Sequence, residues 1–131
     1  MMAYTWAVIL GGAVGAVARY LLATYAPRAR SGFSWGIVAA NVVGSFILAI
    51  LTALNLVAVS KGADFPLVAI AAVGVGFCGV LTTFSTFSTD LVGLLRAGHI
   101  RGAVIYLGST VVSSLLLVTV VFIIIIQVQL V

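Results

Sequence analysis

The chain reads as an all-α integral membrane protein of four transmembrane helices, the third broken within the membrane. Three observations support this. Of 131 residues, 64% are hydrophobic and 6% charged, against about 45–50% apolar and 25% charged in a globular domain. With a mean hydropathy of +1.39, the chain has too few polar side chains to cover its apolar surface, so the bilayer must be its solvent. Four segments reach the roughly 20 apolar residues that cross hydrocarbon. In the third, a run of Ala, Val, Ile and Gly gives way to Gly79-Val80-Leu81-Thr82-Thr83-Phe84-Ser85-Thr86-Phe87-Ser88, rich in hydroxyls and without charge. Backbone polar groups in hydrocarbon must find partners, so a discontinuous helix survives only inside protein or beside water. Transporters use such breaks to bind ions through helix ends and freed carbonyls.

The elements follow in order. The first span, about 4–25, ends before Pro27; it lacks a basic n-region and outruns a signal-peptide core before Arg19, so it is expected to be a retained helix. The second, about 35–59, stops at Ser60-Lys61-Gly62-Ala63-Asp64. The third, about 65–95, begins at Phe65-Pro66, where proline suits a first helical turn. It is the longest, as expected if part of it is unwound. After the loop Arg96–Gly102 the fourth span runs from about 103 to 130. The whole chain, 1–131, forms one domain. Tyr4, Trp6, Tyr20, Tyr25 and Trp35 fall near span ends, where amphipathic rings favour the interface. One set of loops carries Arg28, Arg30, Arg96 and Arg101 and the other Lys61 alone, so the positive-inside rule places the termini outside.

Small residues recur at packing intervals: Gly11 and Gly15, Ala40 and Gly44, then Gly74, Gly76 and Gly79. Asn41 places an amide within the second span, close to the face of Gly44 and Ser45. It serves either as interhelical glue or as a functional donor. Tyr106, Thr110 and Ser114 recur every four residues and form one stripe of the fourth span, with Ser109 and Ser113 beside it. Such hydroxyls can instead bond their own helix backbone. Arg19, a charge within the first span, either snorkels to the interface or draws anions to a vestibule. Asp90 follows the polar stretch and is placed to cap or pair near the membrane surface.

The basic residues are scattered through the loops, which is no nucleic-acid footprint. Cys78 is alone and forms no intramolecular disulfide. Without a carboxylate in the first, second or fourth span, a proton-coupled antiporter is disfavoured. No catalytic triad, metal-ligand cluster or phosphate loop supports an enzyme. What remains is a path of neutral hydrogen-bond donors, suited to a small anion.

These residues resemble the small bacterial fluoride channels, the Fluc or CrcB family. The resemblance covers essentially the whole chain: Gly11-Gly12-x-x-Gly15 with Arg19, Asn41-x-x-Gly44, and the Gly79–Ser88 motif. Val80 departs from it, standing where relatives more often have glycine. The resemblance implies a fluoride-selective channel of the bacterial inner membrane, giving passive export of the ion. It implies an antiparallel, dual-topology homodimer in contact with lipid, with a structural sodium ion at the centre of its interface. The main-chain oxygens of Gly79 and Thr82 would hold that ion, four oxygens from two subunits. Two fluoride pathways would be lined by Asn41, Phe84, Ser85, Phe87, Ser88, Tyr106, Thr110 and Ser114, with Arg19 as the vestibule charge. The alternatives are a small dual-topology multidrug-type exporter and a non-conducting membrane scaffold.

Overall fold

The computed structural model describes residues 2–130, with side chains through residue 128. Helix α1, Met2–Tyr25, is apolar nearly all round, and a helix satisfies its backbone without water. It ends with Ala26 N–H donating to Leu22 O at 3.1 Å; Pro27 cannot continue the ladder. Helix α2, Trp35–Ser60, follows a short turn. Helix α3 covers residues 67–81, with π-type winding over Ile70–Cys78 between α-helical turns Leu67–Ala69 and Gly79–Leu81. Two residues of extended backbone come next, Thr82 (φ −72°, ψ 150°) and Thr83 (φ −149°, ψ 124°). Helix α4, Phe84–Arg96, then resumes the direction of the span. Helix α5 covers residues 100–130, again with a π-type stretch, Gly108–Val112. It starts ahead of the position near Ala103 expected from hydropathy, because Ala103 N–H already donates to His99 O at 3.0 Å.

Four stretches are long and apolar enough to cross a membrane: Met2–Tyr25, Trp35–Ser60, Leu67–Arg96 and Ile100–Val128. The protein is a multi-pass membrane protein. Gly62 and Gly98 terminate α2 and α4 at φ +70° and +73°, a conformation that costs a side-chain-bearing residue strain.

α1 lies along α3, while α2 packs against α1, α3 and α5 and so forms the hub. Backbones approach closely between α1 and α3. A Cβ on Gly76 would stand 2.6 Å from Val8 O, and one on Gly11 would collide with the Ala72 carbonyl. In lipid, dispersion and close approach drive such pairing, because no hydrophobic effect separates helix from tail. Two clusters fill the interior. One joins Phe33, Ile37, Val38, Phe87, Leu94, Ala103 and Tyr106 at the end near the 26–34 loop. The other joins Ala49, Ala53 and Val121. Outward positions such as Leu10, Val17 and Ile124 are exposed and apolar, as lipid contact requires.

Candidate functional site

The site grows out of the change of backbone at Thr82 and Thr83. Helix α3 closes with two bonds to Cys78 O, from Thr82 N–H and from Thr82 Oγ1, both at 3.0 Å. Gly44 of α2 makes room here: a Cβ at that position would stand 2.5 Å from Thr82 Cγ2. α4 begins with Thr83 as its N-cap, and the Thr83 hydroxyl accepts from Thr86 N–H at 3.3 Å. A threonine cap of this kind satisfies one of the four orphan amides of a helix start. The same hydroxyl donates to Thr86 Oγ1 at 3.2 Å and lies 3.3 Å from Ser85 Oγ.

Asn41 completes the arrangement from α2. Thr83 N–H donates to Asn41 Oδ1 at 2.7 Å, and Asn41 Nδ2 donates to Thr83 O at 3.3 Å. The amide thus binds both backbone groups of one residue, Thr83, as a neighbouring strand would.

Beside this junction lies a cavity of about 370 Å³, lined by Asn41, Ser45, Leu48, Thr82, Thr83, Phe84, Phe87, Thr110, Val111, Ser114 and Leu115. Its lining carries no ionisable group. The buried hydroxyls Thr110 Oγ1 and Ser114 Oγ of α5 residues on its lining have no hydrogen-bond partner among the described residues. For Thr110 the cause is local. Ser109 Oγ already donates to the carbonyl one turn back, Tyr106 O, at 3.2 Å. A buried polar group without a partner costs about 1–3 kcal/mol.

Two aromatic rings, Phe84 and Phe87, belong to the lining. Phe84 and Phe87 have centroids 6.1 Å apart, and Phe87 sits 5.1 Å from Tyr106. Phe87 is buried, but Phe84 is 81% exposed on the open side. Tyr106 is fully enclosed, and its hydroxyl donates to Asp90 Oδ2 at 3.3 Å.

The structure therefore brings Asn41, Thr82, Phe84, Phe87, Thr110 and Ser114 to one cavity. Tyr106 lies behind Phe87 rather than on the lining, and Ser85 and Ser88 are outside it. Arg19 is half-buried on α1 and is not among the lining residues. Gly79 stands one turn before Thr83, in the last turn of α3. Sequence reasoning did not single out Thr83, whose backbone and hydroxyl organise the junction. The signal was present, as Thr83 stands three residues ahead of Thr86 in the position of a helix N-cap.

The fold is thus a multi-pass helical membrane protein with an uncharged cavity of amide, hydroxyl and apolar side chains at a helix junction. Residues 6–122 match the family model described as CrcB-like protein, Camphor Resistance (CrcB), and the chain belongs to that family. It is 41% identical over 109 residues to the fluoride-specific ion channel FluC of Methanopyrus kandleri, covering 83% of this chain and 79% of that one. It is 40% identical over 108 residues to fluoride-specific ion channel FluC 2 of Rhodococcus jostii, covering 82% and 86%. Against FluC 2 of Streptococcus pneumoniae it is 40% identical over 114 residues, covering 87% and 88%.

Proposed function

We propose that this protein is a fluoride-selective channel that lets the ion leave the cell passively, down its gradient. The observation that carries this reading is the uncharged cavity on which Asn41, Phe84, Phe87, Thr110 and Ser114 converge. Fluoride is small and strongly hydrated, and it surrenders water only to good donors. Hydroxyls and an amide supply them without titrating, and the positive edges of the phenylalanines add a weaker attraction. A lining with no fixed charge binds the ion loosely enough to release it, as conduction requires. The names of the relatives support the choice of ion.

The channel is proposed to be an antiparallel homodimer. Phe84, 81% exposed beside the open cavity, supports this, since one subunit leaves that side uncovered. The extended residues Thr82 and Thr83 then lie inside the membrane, as a break in the third span. A structural sodium ion is proposed at the break. The residues fit a hard cation, which takes oxygen ligands. Thr83 N–H and Thr86 N–H, the helical donors for the Gly79 and Thr82 carbonyls, are both bonded elsewhere. Those two carbonyls would hold the ion, and its charge would offset the partial negative charge at the C-terminal end of α3.

Reconstituted liposomes loaded with fluoride test the proposal. Rapid fluoride efflux with negligible chloride efflux is the expected result. Proton-dependent uptake of a cationic dye would indicate the exporter instead, and absence of any flux a scaffold.

A further inference from the structure

We infer that Asn41 acts as the positioning residue of the cation site, by withholding from Gly79 the amide that would close its carbonyl. The inference rests on the cation reading above. In a continuous helix each N–H donates to the carbonyl four residues earlier. The donor for Gly79 O is then Thr83 N–H, and that amide goes instead to Asn41 Oδ1 at 2.7 Å. The helix is intact one step earlier, where Thr82 N–H still reaches Cys78 O at 3.0 Å. α3 therefore stops at the first amide that the α2 side chain captures.

The return bond, Asn41 Nδ2 to Thr83 O at 3.3 Å, holds the same residue through its carbonyl. The carboxamide thus captures the one amide that would extend α3, and its second bond goes to the N-cap carbonyl of α4. This matters in hydrocarbon, where each unsatisfied backbone group costs several kcal/mol. Without the amide, the nearest way for Thr83 to recover a partner is to add one more residue to α3. That step gives its N–H to Gly79 O and removes a ligand. The Thr82 carbonyl has a separate safeguard, because Thr86 N–H, its own helical donor, is taken by Thr83 Oγ1 at 3.3 Å. Asn41 is thus specific to the Gly79 half of the site. Its place on the cavity wall is a second role, on a different part of the amide: the remaining Nδ2 hydrogen is free to face an ion.

The two roles separate by substitution. Asn41→Asp keeps an acceptor for Thr83 N–H but gives up the donor that an anion needs. Asn41→Leu keeps bulk and loses both, and Asn41→Ser carries a hydroxyl too short to span the gap. The experiment measures thermal unfolding of the purified full chain in detergent as sodium chloride replaces N-methylglucamine chloride at constant ionic strength. Fluoride efflux is measured in parallel.

Wild type should melt higher as sodium rises and reach a plateau. Asn41→Asp keeps the acceptor and adds a charge that attracts the cation, so its sodium midpoint should stay at or below that of wild type while flux is lost. Asn41→Leu and Asn41→Ser should each shift the midpoint upward by about tenfold or more, the scale of one lost bond to a buried peptide. A wild type indifferent to sodium overturns the cation reading and this inference with it. A responsive wild type with unshifted Leu and Ser variants overturns the inference alone. Should those two fail to fold, Asn41→Asp decides: a midpoint at or below that of wild type supports the role of the acceptor, and a raised or lost one refutes it.

Discussion

Replacing Thr110 with valine removes a hydroxyl that the subunit does not itself satisfy. Thr110 is 5% exposed, its Oγ1 has no partner, and its usual acceptor, Tyr106 O, is taken by Ser109. Valine keeps the branched shape and removes the unmet donor. Since a buried unpaired polar group costs about 1–3 kcal/mol, the variant should unfold at a higher temperature, by a gain within that range. Conduction should move the other way. A hydrogen bond to an ion is worth about 1.5–3 kcal/mol, and each 1.36 kcal/mol is about tenfold in rate. Fluoride efflux should therefore fall roughly 10- to 100-fold. Paired melting curves and liposome flux on wild type, Thr110→Val and Thr110→Ser form the assay, with serine expected to restore flux. A less stable Thr110→Val that conducts at the wild-type rate would refute the reasoning, because the hydroxyl would then be a structural bond.

Phe84→Ile and Phe87→Ile should abolish most fluoride flux while the protein stays folded, since an apolar swap of adequate bulk costs under about 1.5 kcal/mol; size exclusion with flux checks both. Fluoride efflux should be unchanged when the sodium gradient is reversed, and stoichiometric sodium movement would exclude a structural ion. Asn41→Asp should lower efflux by orders of magnitude, since a charge repelling the anion in a low-dielectric pore costs several kcal/mol. Gly76→Ala should destabilise the α1–α3 contact by about 1–3 kcal/mol, seen as a lower melting temperature. Its added carbon would stand 2.6 Å from Val8 O, a backbone atom that only a helix shift can move.

The sequence by itself determined the solvent, the helical class and the number of crossings. These follow from sums over local composition: apolar length sets a span, and Pro27, Gly62 and Gly98 mark where helices cannot or need not continue. The unusual stretch at Gly79–Ser88 was legible for the same reason, as hydroxyls interrupting an apolar run. Tertiary structure alone decided how that stretch is used. Asn41 and Thr83 are 42 positions apart, and only the packing of α2 on α3 turns an amide in one span into the partner of a peptide in another. The fourth-span stripe shows the same limit. A four-residue interval puts Tyr106, Thr110 and Ser114 on one face, yet Tyr106 packs behind Phe87 and bonds Asp90, while Thr110 and Ser114 face the cavity. Between them α5 is π-wound at Gly108–Val112, which shifts the phase of the face. Whether a hydroxyl meets its own backbone, a neighbouring helix or an ion depends on which acceptors are already taken, and only the packed chain settles that.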